Sequence, residues 1–218
     1  MADLAPRVVF NILGVGVRDA VVETWALMAI VTVAVVVLTR KRPAILDMLV
    51  EFLLENTSLV MGRPAQPFLS LLGTFAVFIA LANILGMVPT LKAPTRGLDT
   101  PAALALVVFF SVHYYGVRSR GLVQYLKSFA DPLFMLPLEL IGQFTRTVAL
   151  ALRLFGNVLS SEMVVAVIFS LLPLIVPIPL MAMGMLTGVL QAYIFTVLAA
   201  VYISAAVGAS EPTPKKRS

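Results

Sequence analysis

The stretch from Pro64 to Leu91 carries no charged side chain, and this feature constrains the fold most strongly. As a helix rising 1.5 Å per residue it would extend about 42 Å, more than a hydrocarbon core roughly 30 Å thick. Across the chain 60% of residues are apolar and 12% are charged, and the mean hydropathy is +1.01. Because soluble domains are less apolar than this, a lipid bilayer is the expected solvent.

The apolar runs predict an all-α integral membrane protein with about five transmembrane helices and an interfacial amphipathic helix, the last two helices being long, tilted and antiparallel. We assign residues 1–218 to a single membrane domain. Its predicted segments are an external N-terminus at 1–20, span 1 at 21–39, the interfacial helix at 43–61, span 2 at 67–91, span 3 at 101–117, a long tilted helix at 132–172, a long tilted last helix at 180–208 and a cytoplasmic tail at 209–218.

Two of these segments rest on local patterns. The run from Val21 to Thr39 lacks an early basic region and a small-residue cleavage site, which favours a retained helix over a removed signal peptide. In the next segment Asp47, Glu51 and Glu55 recur at i, i+4 and i+8, so they line one side of a helix whose other sides are apolar. This pattern is typical of a helix that lies in the membrane interface.

The segment from Pro132 to Leu172 would reach about 60 Å as one helix, roughly twice the membrane core. It must therefore tilt steeply or break. Three prolines, Pro173, Pro177 and Pro179, indicate a turn before the last helix.

Several kinds of chemistry are excluded by composition. The chain has no Cys and one His, His113, so we expect no disulfide, no metal site and no cofactor. The net charge of +5 could suggest nucleic acid, but the basic residues flank apolar runs and form no stripe with aromatic residues. We therefore expect contact with membrane lipid and no nucleic-acid partner.

The basic residues also predict the orientation, since Lys and Arg concentrate on the cytoplasmic side of a bacterial inner membrane. With the N-terminus outside, five spans leave the C-terminus in the cytoplasm. The inside then holds Arg40, Lys41, Arg42, Arg63, Arg118, Arg120, Lys127, Lys215, Lys216 and Arg217, whereas the outside holds Arg7, Arg18, Lys92 and Arg96. Arg146 and Arg153 fall within the membrane.

Charge inside the membrane indicates where function resides, because a lipid-facing Arg at mid-bilayer costs about 3 to more than 10 kcal/mol. On a helical wheel of this segment, with 100° per residue and Arg153 at 0°, a stripe of polar residues lies within about 40° of Arg153. Its members are Glu139, Arg146, Asn157 and Ser160. Glu162 falls near 180°, so we expect it to face a different surface, and two polar faces suggest two aqueous compartments.

In the last helix, Gly184, Thr187, Gln191 and Tyr202 fall within about 60° of one another. This second stripe either serves transport or makes interhelical hydrogen bonds. Arg153 likewise either acts on a partner or forms a structural ion pair with Glu139 or Glu162. Taken singly, Asn83, His113 and Tyr202 are more often structural than functional.

Two strings in the last two apolar segments carry a family resemblance. Leu152-Arg153-Leu154-Phe155-Gly156-Asn157, with Glu162 five residues later, resembles a signature of subunit a of F-type ATP synthases. The string from Gln191 to Phe195, followed by Val201 and Tyr202, resembles the second signature of that family. Asn83, Gly86 and Pro89 match a weaker third motif. The likeness in layout covers about residues 20–208, and two such strings at this separation are specific.

The resemblance implies a proton-channel stator subunit that faces a ring of c subunits, each with one mid-membrane carboxylate. It further implies contact with the peripheral stalk b subunits and, indirectly, with the soluble ATPase sector, so the chain would translocate ions without being catalytic alone. Arg153 matches the essential Arg of the family. Glu139, Arg146, Asn157, Glu162, Gln191 and Tyr202 match polar positions of its two aqueous half-channels. One departure is Gly184, where some members carry a His paired with the residue at Glu162.

The chemistry of Arg agrees with this role, because Arg does not deprotonate in proteins and can hold a passing carboxylate ionised. At an effective dielectric constant of about 20, a pair near 4 Å gains about 4 kcal/mol, which favours the ionised form about a thousandfold.

The alternative function is a stand-alone secondary transporter that binds an anionic substrate through Arg153. No internal repeat supports it. An intramembrane enzyme is disfavoured because the sequence offers no Ser/His, paired Asp or metal-binding constellation.

Overall fold

The computed structural model describes residues 8–12, 15–86, 95, 97–125, 136–171 and 177–208. Its helices are α1 Asp19–Lys41, α2 Pro43–Met61, α3 Leu69–Gly86, α4 Asp99–Arg120, α5 Leu136–Leu171 and α6 Pro177–Gly208. A 3-10 turn, Gln66–Phe68, leads into α3. The predicted tail 209–218, the end of span 2 at 87–91 and the ends of the long helix at 132–135 and 172 lie outside the described residues.

Five helices are long and apolar enough to cross a membrane: α1, α3 with its 3-10 turn, α4, α5 and α6. The predicted all-α membrane fold with five spans is thereby confirmed. Helix α2 is not among the five, and its carboxylates Asp47, Glu51 and Glu55 are all exposed. Its position in the membrane interface stays a prediction.

Two short antiparallel strands, β1 Val8–Ile12 and β2 Val15–Arg18, precede α1. We assigned this region only to an external N-terminus and predicted no strand in it. Val and Ile supply much of both strands, and two residues separate them, which favours a hairpin. The pairing adds a small β-hairpin before the first candidate span and leaves the helical architecture of the spans unchanged.

Helix α1 buries few of its side chains, whereas α2 is joined to α6. In α1, Leu27 is buried while most other apolar side chains are exposed, as expected for a helix surrounded by lipid. Pro43 begins α2, where its missing N–H is no loss, and Gly62 ends α2 in the left-handed conformation with φ +64°. Ser204 of α6 then donates a hydrogen bond to the Met61 carbonyl at 2.9 Å, tying α2 to the bundle.

The core forms where α3 crosses α6. Phe75 and Phe195 meet edge to face with ring centres 5.6 Å apart, and both are buried. Ala199 and Ala200 of α6 are fully buried, so small side chains allow the backbones to approach closely. Helix α4 covers this core with Val108 and Val112.

Helix α5 runs unbroken for 36 residues and α6 for 32, or about 54 Å and 48 Å. The predicted start of the last helix at residue 180 is wrong, because α6 begins at Pro177. The first-turn N–H groups of a helix lack intrahelical partners, so Pro177 and Pro179 fit there without loss of hydrogen bonds. The two helices are antiparallel, since Arg146 of α5 stacks over Tyr202 of α6 while Glu162 and Gly184 line the same cavity.

Candidate ion-translocation site

Arg153 lies on the exposed face of α5. The other side of the helix buries Ala151, Leu154 and Val158 against the bundle, which turns Arg153 and Leu152 outward. Within the described residues Arg153 makes no hydrogen bond or ion pair. A permanent cation on the outer surface of a membrane helix requires a partner or water from outside the chain.

The alternative of a structural ion pair between Arg153 and Glu139 is wrong. Glu139 instead lies 4.0 Å from the Arg146 guanidinium, and Gln143 donates a hydrogen bond to its Oε1 at 3.1 Å. Arg146 also stacks over the Tyr202 ring, with Cζ 5.8 Å from the ring centre. We call Glu139, Gln143, Arg146 and Tyr202 the Glu139 cluster.

The segment after α4 adjoins the Glu139 cluster. Tyr125 is buried, packs against Gly116 and lies edge-on to the His113 ring at 6.1 Å. Burial raises the pKa of the Tyr125 phenol, with an opposing effect of Arg120 and a smaller raising effect of Glu139. The phenol therefore stays protonated at neutral pH.

A cavity opens where α3, α5 and α6 meet, and we call it the Glu162 cavity. It is lined by Asn83, Gly86, Asn157, Val158, Ser161, Glu162, Gly184 and Gly188. Three lining residues are glycines, so the space exists because side chains are missing from the walls of α3 and α6. The α5 wall supplies the carboxylate, an amide and a hydroxyl.

Asn83 fixes the α3 wall of this cavity. Its Nδ2 donates to the Gly188 carbonyl at 2.9 Å, and its Oδ1 accepts a hydrogen bond from the Thr95 hydroxyl at 3.2 Å. A Cβ at Gly188 would lie 2.7 Å from the Asn83 Cβ, closer than real Cβ contacts allow. Asn83 is 3% exposed with both amide atoms occupied, so it joins two helices.

The expectation that Glu162 shares no surface with the Arg153 stripe is wrong for Asn157. Both residues line the Glu162 cavity although they lie about 140° apart on α5. The glycine wall opposite leaves the cavity wide enough to span that arc. Ser161 and Gly188 also line it and were missed by the sequence analysis, although Gly188 continues the stripe of Gly184 by one turn.

Three predicted path residues lie outside both groups. Ser160 is exposed on the face of Arg153. His113 bonds through Nδ1 to the Phe109 carbonyl at 2.7 Å and faces Tyr125. Gln191 is 6% exposed and sits one turn beyond Gly188 on α6; its Nε2 has no hydrogen-bond partner among the residues that the structure describes.

This unpaired amide gives a prediction for Gln191→Leu. Because no hydrogen bond is lost and the volumes are similar, assembly and thermal stability should stay unchanged. Transport should fall about tenfold if the amide solvates the translocated ion, the effect of one lost hydrogen bond of about 1.4 kcal/mol. The measurements are ATP-driven proton pumping and the melting temperature of the purified complex. A destabilised complex would favour a structural role for Gln191.

Comparison with known sequences places this arrangement in a family. A sequence model of the family described as ATP synthase A chain matches residues 21–204, a range that contains Arg153, the Glu139 cluster and the Glu162 cavity. The chain belongs to the ATP synthase A chain family. The family model covers four of the five candidate spans completely and the last span, α6, up to residue 204. The chain is therefore a multi-pass membrane protein of the ATP synthase membrane sector.

Individual members of the ATP synthase A chain family cover nearly the whole chain. The chain is 47% identical to "ATP synthase subunit a 2" of Bradyrhizobium sp. over 94% of its length and 96% of the relative's. It is 40% identical to "ATP synthase subunit a 2" of Picosynechococcus sp., with 93% and 90% covered. It is 39% identical to "ATP synthase subunit a" of Albidiferax ferrireducens, with 89% of each covered. These relatives disfavour a stand-alone transporter.

Proposed function

We propose that this chain is the proton-channel stator subunit of an F-type ATP synthase, in which Arg153 gates the protonation of carboxylates on a rotating c-subunit ring. The ring, the peripheral stalk b subunits and, indirectly, the soluble ATPase sector are its partners. Proton flow through the site drives rotation and thereby ATP synthesis. Family membership and the exposed Arg153 support this assignment.

The observation that carries the proposal is an outward-facing Arg153 without an internal partner in the described chain, placed between two polar groups on one helix. Arg146 of the Glu139 cluster lies seven residues before it, or about 10.5 Å along α5. Glu162 lies nine residues after it, or about 13.5 Å. Each polar group can end one aqueous half-channel, and Arg153 separates them.

Electrostatics explains why a permanent cation belongs between two proton paths. A ring carboxylate beside Arg153 is held ionised and releases its proton towards one path, because the nearby cation favours the charged form. Once carried away into lipid, it must be protonated again, because desolvation favours the neutral form. Protons then enter and leave on opposite sides of Arg153, and each transfer across the membrane yields about 2.3 kcal/mol per 100 mV.

The surface around Arg153 suits a close helical partner. Gly142, Ala149 and Gly156 recur every seven residues and lie within about 60° of Arg153 on α5. A Cβ added at Gly142 or Gly156 would meet nothing within 4 Å, so packing inside this chain does not require glycine there. Small side chains on an exposed helix face let a partner backbone approach, which brings its carboxylate within reach of the guanidinium.

The proposed orientation has the N-terminus outside and the C-terminus in the cytoplasm of a bacterial inner membrane. It rests on the uneven distribution of Lys and Arg between the predicted loops. The Glu139 cluster lies at the same end of the helices as Arg120 and the C-terminal half of α6, so in this orientation it opens to the cytoplasm. The Glu162 cavity, nearer the other end of α5, opens to the outside.

Purification from native membranes tests the proposal. An affinity tag on this chain should recover a ring oligomer and a soluble ATPase in constant ratio, and the reconstituted complex should pump protons when given ATP. A tagged chain that is recovered alone and moves an anion by itself would instead establish the secondary transporter.

A further inference from the structure

Gln143 is the member of the Glu139 cluster that the sequence analysis did not single out. It lies one turn after Glu139 on α5, and its Nε2 donates a hydrogen bond to Glu139 Oε1 at 3.1 Å. Among the residues that the structure describes, no other side chain forms a hydrogen bond with this carboxylate. Gln143 is therefore the group that orients the Glu139 carboxylate.

Arg146 attracts the same carboxylate oxygen without bonding to it. The Arg146 Nη1 atom lies 4.0 Å from Glu139 Oε1, beyond hydrogen-bond distance, and the guanidinium stacks over the Tyr202 ring. An Arg that reached both oxygens of a carboxylate would form two charge-assisted hydrogen bonds and hold it in the charged form. Here Gln143 and Arg146 both face Oε1, so Oε2 has no hydrogen-bond partner within the described part of the chain.

The second oxygen of Glu139 is placed to carry a proton. The Glu139 side chain is 41% exposed, so packing inside the chain does not enclose the carboxylate. A neutral carboxyl group has one O–H donor and one carbonyl oxygen that accepts hydrogen bonds. Because the Gln143 amide donates to Oε1, its hydrogen bond is kept in both protonation states only when the proton is on Oε2.

We infer that Gln143 is a positioning residue of the proton path, which keeps Oε1 of Glu139 occupied so that Oε2 takes up and releases the proton. On uptake, an O–H bond of a hydronium ion breaks and an O–H bond forms at Oε2, which leaves water and a neutral carboxyl group. Release reverses this step. The inference rests on the proposed function, because it requires Glu139 to lie on the path, and it adds a residue that the predicted path did not contain.

Gln143→Met tests this role, because Met is similar in length and cannot donate a hydrogen bond. In the complex reconstituted in vesicles, ATP-driven proton pumping should fall about fivefold, the effect of one lost hydrogen bond of average strength. The ratio of the pumping rates in ordinary and heavy water should also rise, because proton transfer then limits the rate. Gln143→Leu should give the same result and replaces Gln143→Met if that variant fails to assemble.

Two further variants show whether the donated hydrogen bond matters. Gln143→Lys keeps a donor four residues after Glu139, a spacing that favours the contact, and should pump within about twofold of wild type. Gln66→Met is the matched control, because Gln66 is exposed in the 3-10 turn before α3 and its side chain makes no hydrogen bond within the described residues. Gln66→Met should pump like wild type, and Gln143→Met should melt at the same temperature as Gln66→Met.

Three results would overturn the positioning role: wild-type pumping by Gln143→Met, equal losses in Gln143→Met and Gln143→Lys, or a lower melting temperature for Gln143→Met than for Gln66→Met. Glu139→Gln separates this inference from the proposed function. If Glu139→Gln slows pumping while Gln143→Met does not, the path through Glu139 stands and the role of Gln143 fails. If Glu139→Gln pumps like wild type while Arg153→Ala does not pump, the gating by Arg153 stands and the inference fails.

Discussion

Arg153→Ala should abolish coupled proton pumping while leaving ATP hydrolysis by the soluble sector intact. Without the guanidinium, a ring carboxylate facing α5 loses about 4 kcal/mol of stabilisation of its charged form, for a pair near 4 Å at an effective dielectric constant of about 20. The ratio of protonated to ionised ring carboxylate then rises about a thousandfold, so the ring cannot release its proton. Dye quenching in proteoliposomes measures the pumping.

Arg118→Ala is the matched control for this prediction. Arg118 is also exposed but lies in the last turn of α4, where it donates to the Tyr114 hydroxyl at 3.0 Å, away from the proposed site. Its loss should change pumping little, because an exposed polar contact contributes only a small free energy. Arg153→Lys should also be impaired, since a desolvated Lys can lose its proton. Pumping by Arg153→Ala at the wild-type rate would refute the gating role.

Gly188→Val should cause the largest loss of stability among single substitutions at the cavity. The new Cβ would lie 2.7 Å from the Asn83 Cβ, so α3 and α6 must move apart and the hydrogen bond from Asn83 to the Gly188 carbonyl breaks. Overpacking and an unpaired buried amide each cost about 1–3 kcal/mol. We expect a lower melting temperature and less of this chain in the assembled complex.

Gly73→Ala is the matched stability control, because an added Cβ there meets only the Leu53 side chain, at an ordinary van der Waals distance of 3.8 Å. In the interior of α3 this change should be neutral or favourable by up to about 1 kcal/mol. If Gly188→Val and Gly73→Ala melt at the same temperature, the close crossing of α3 and α6 does not hold the cavity together.

The membrane fold could be predicted because hydropathy and helical spacing are local patterns, which can be read from consecutive residues of the sequence. The apolar runs specify the five spans, and Pro43 and Gly62 mark the ends of α2. The start of α6 was misplaced because Pro177 reads as a breaker, whereas in a first turn it costs no hydrogen bond.

For the candidate site, the sequence predicted individual polar residues but not which of them lie together. The sequence by itself determined that the chain is a membrane protein and that Arg153 falls within a candidate span, because both follow from the length of the apolar runs. Only the tertiary structure decided that Glu139 pairs with Arg146 and that Asn157 and Glu162 share a cavity. The physical reason is that this space is bounded by glycines on other helices, and helix crossings are invisible to the periodicity of one helix.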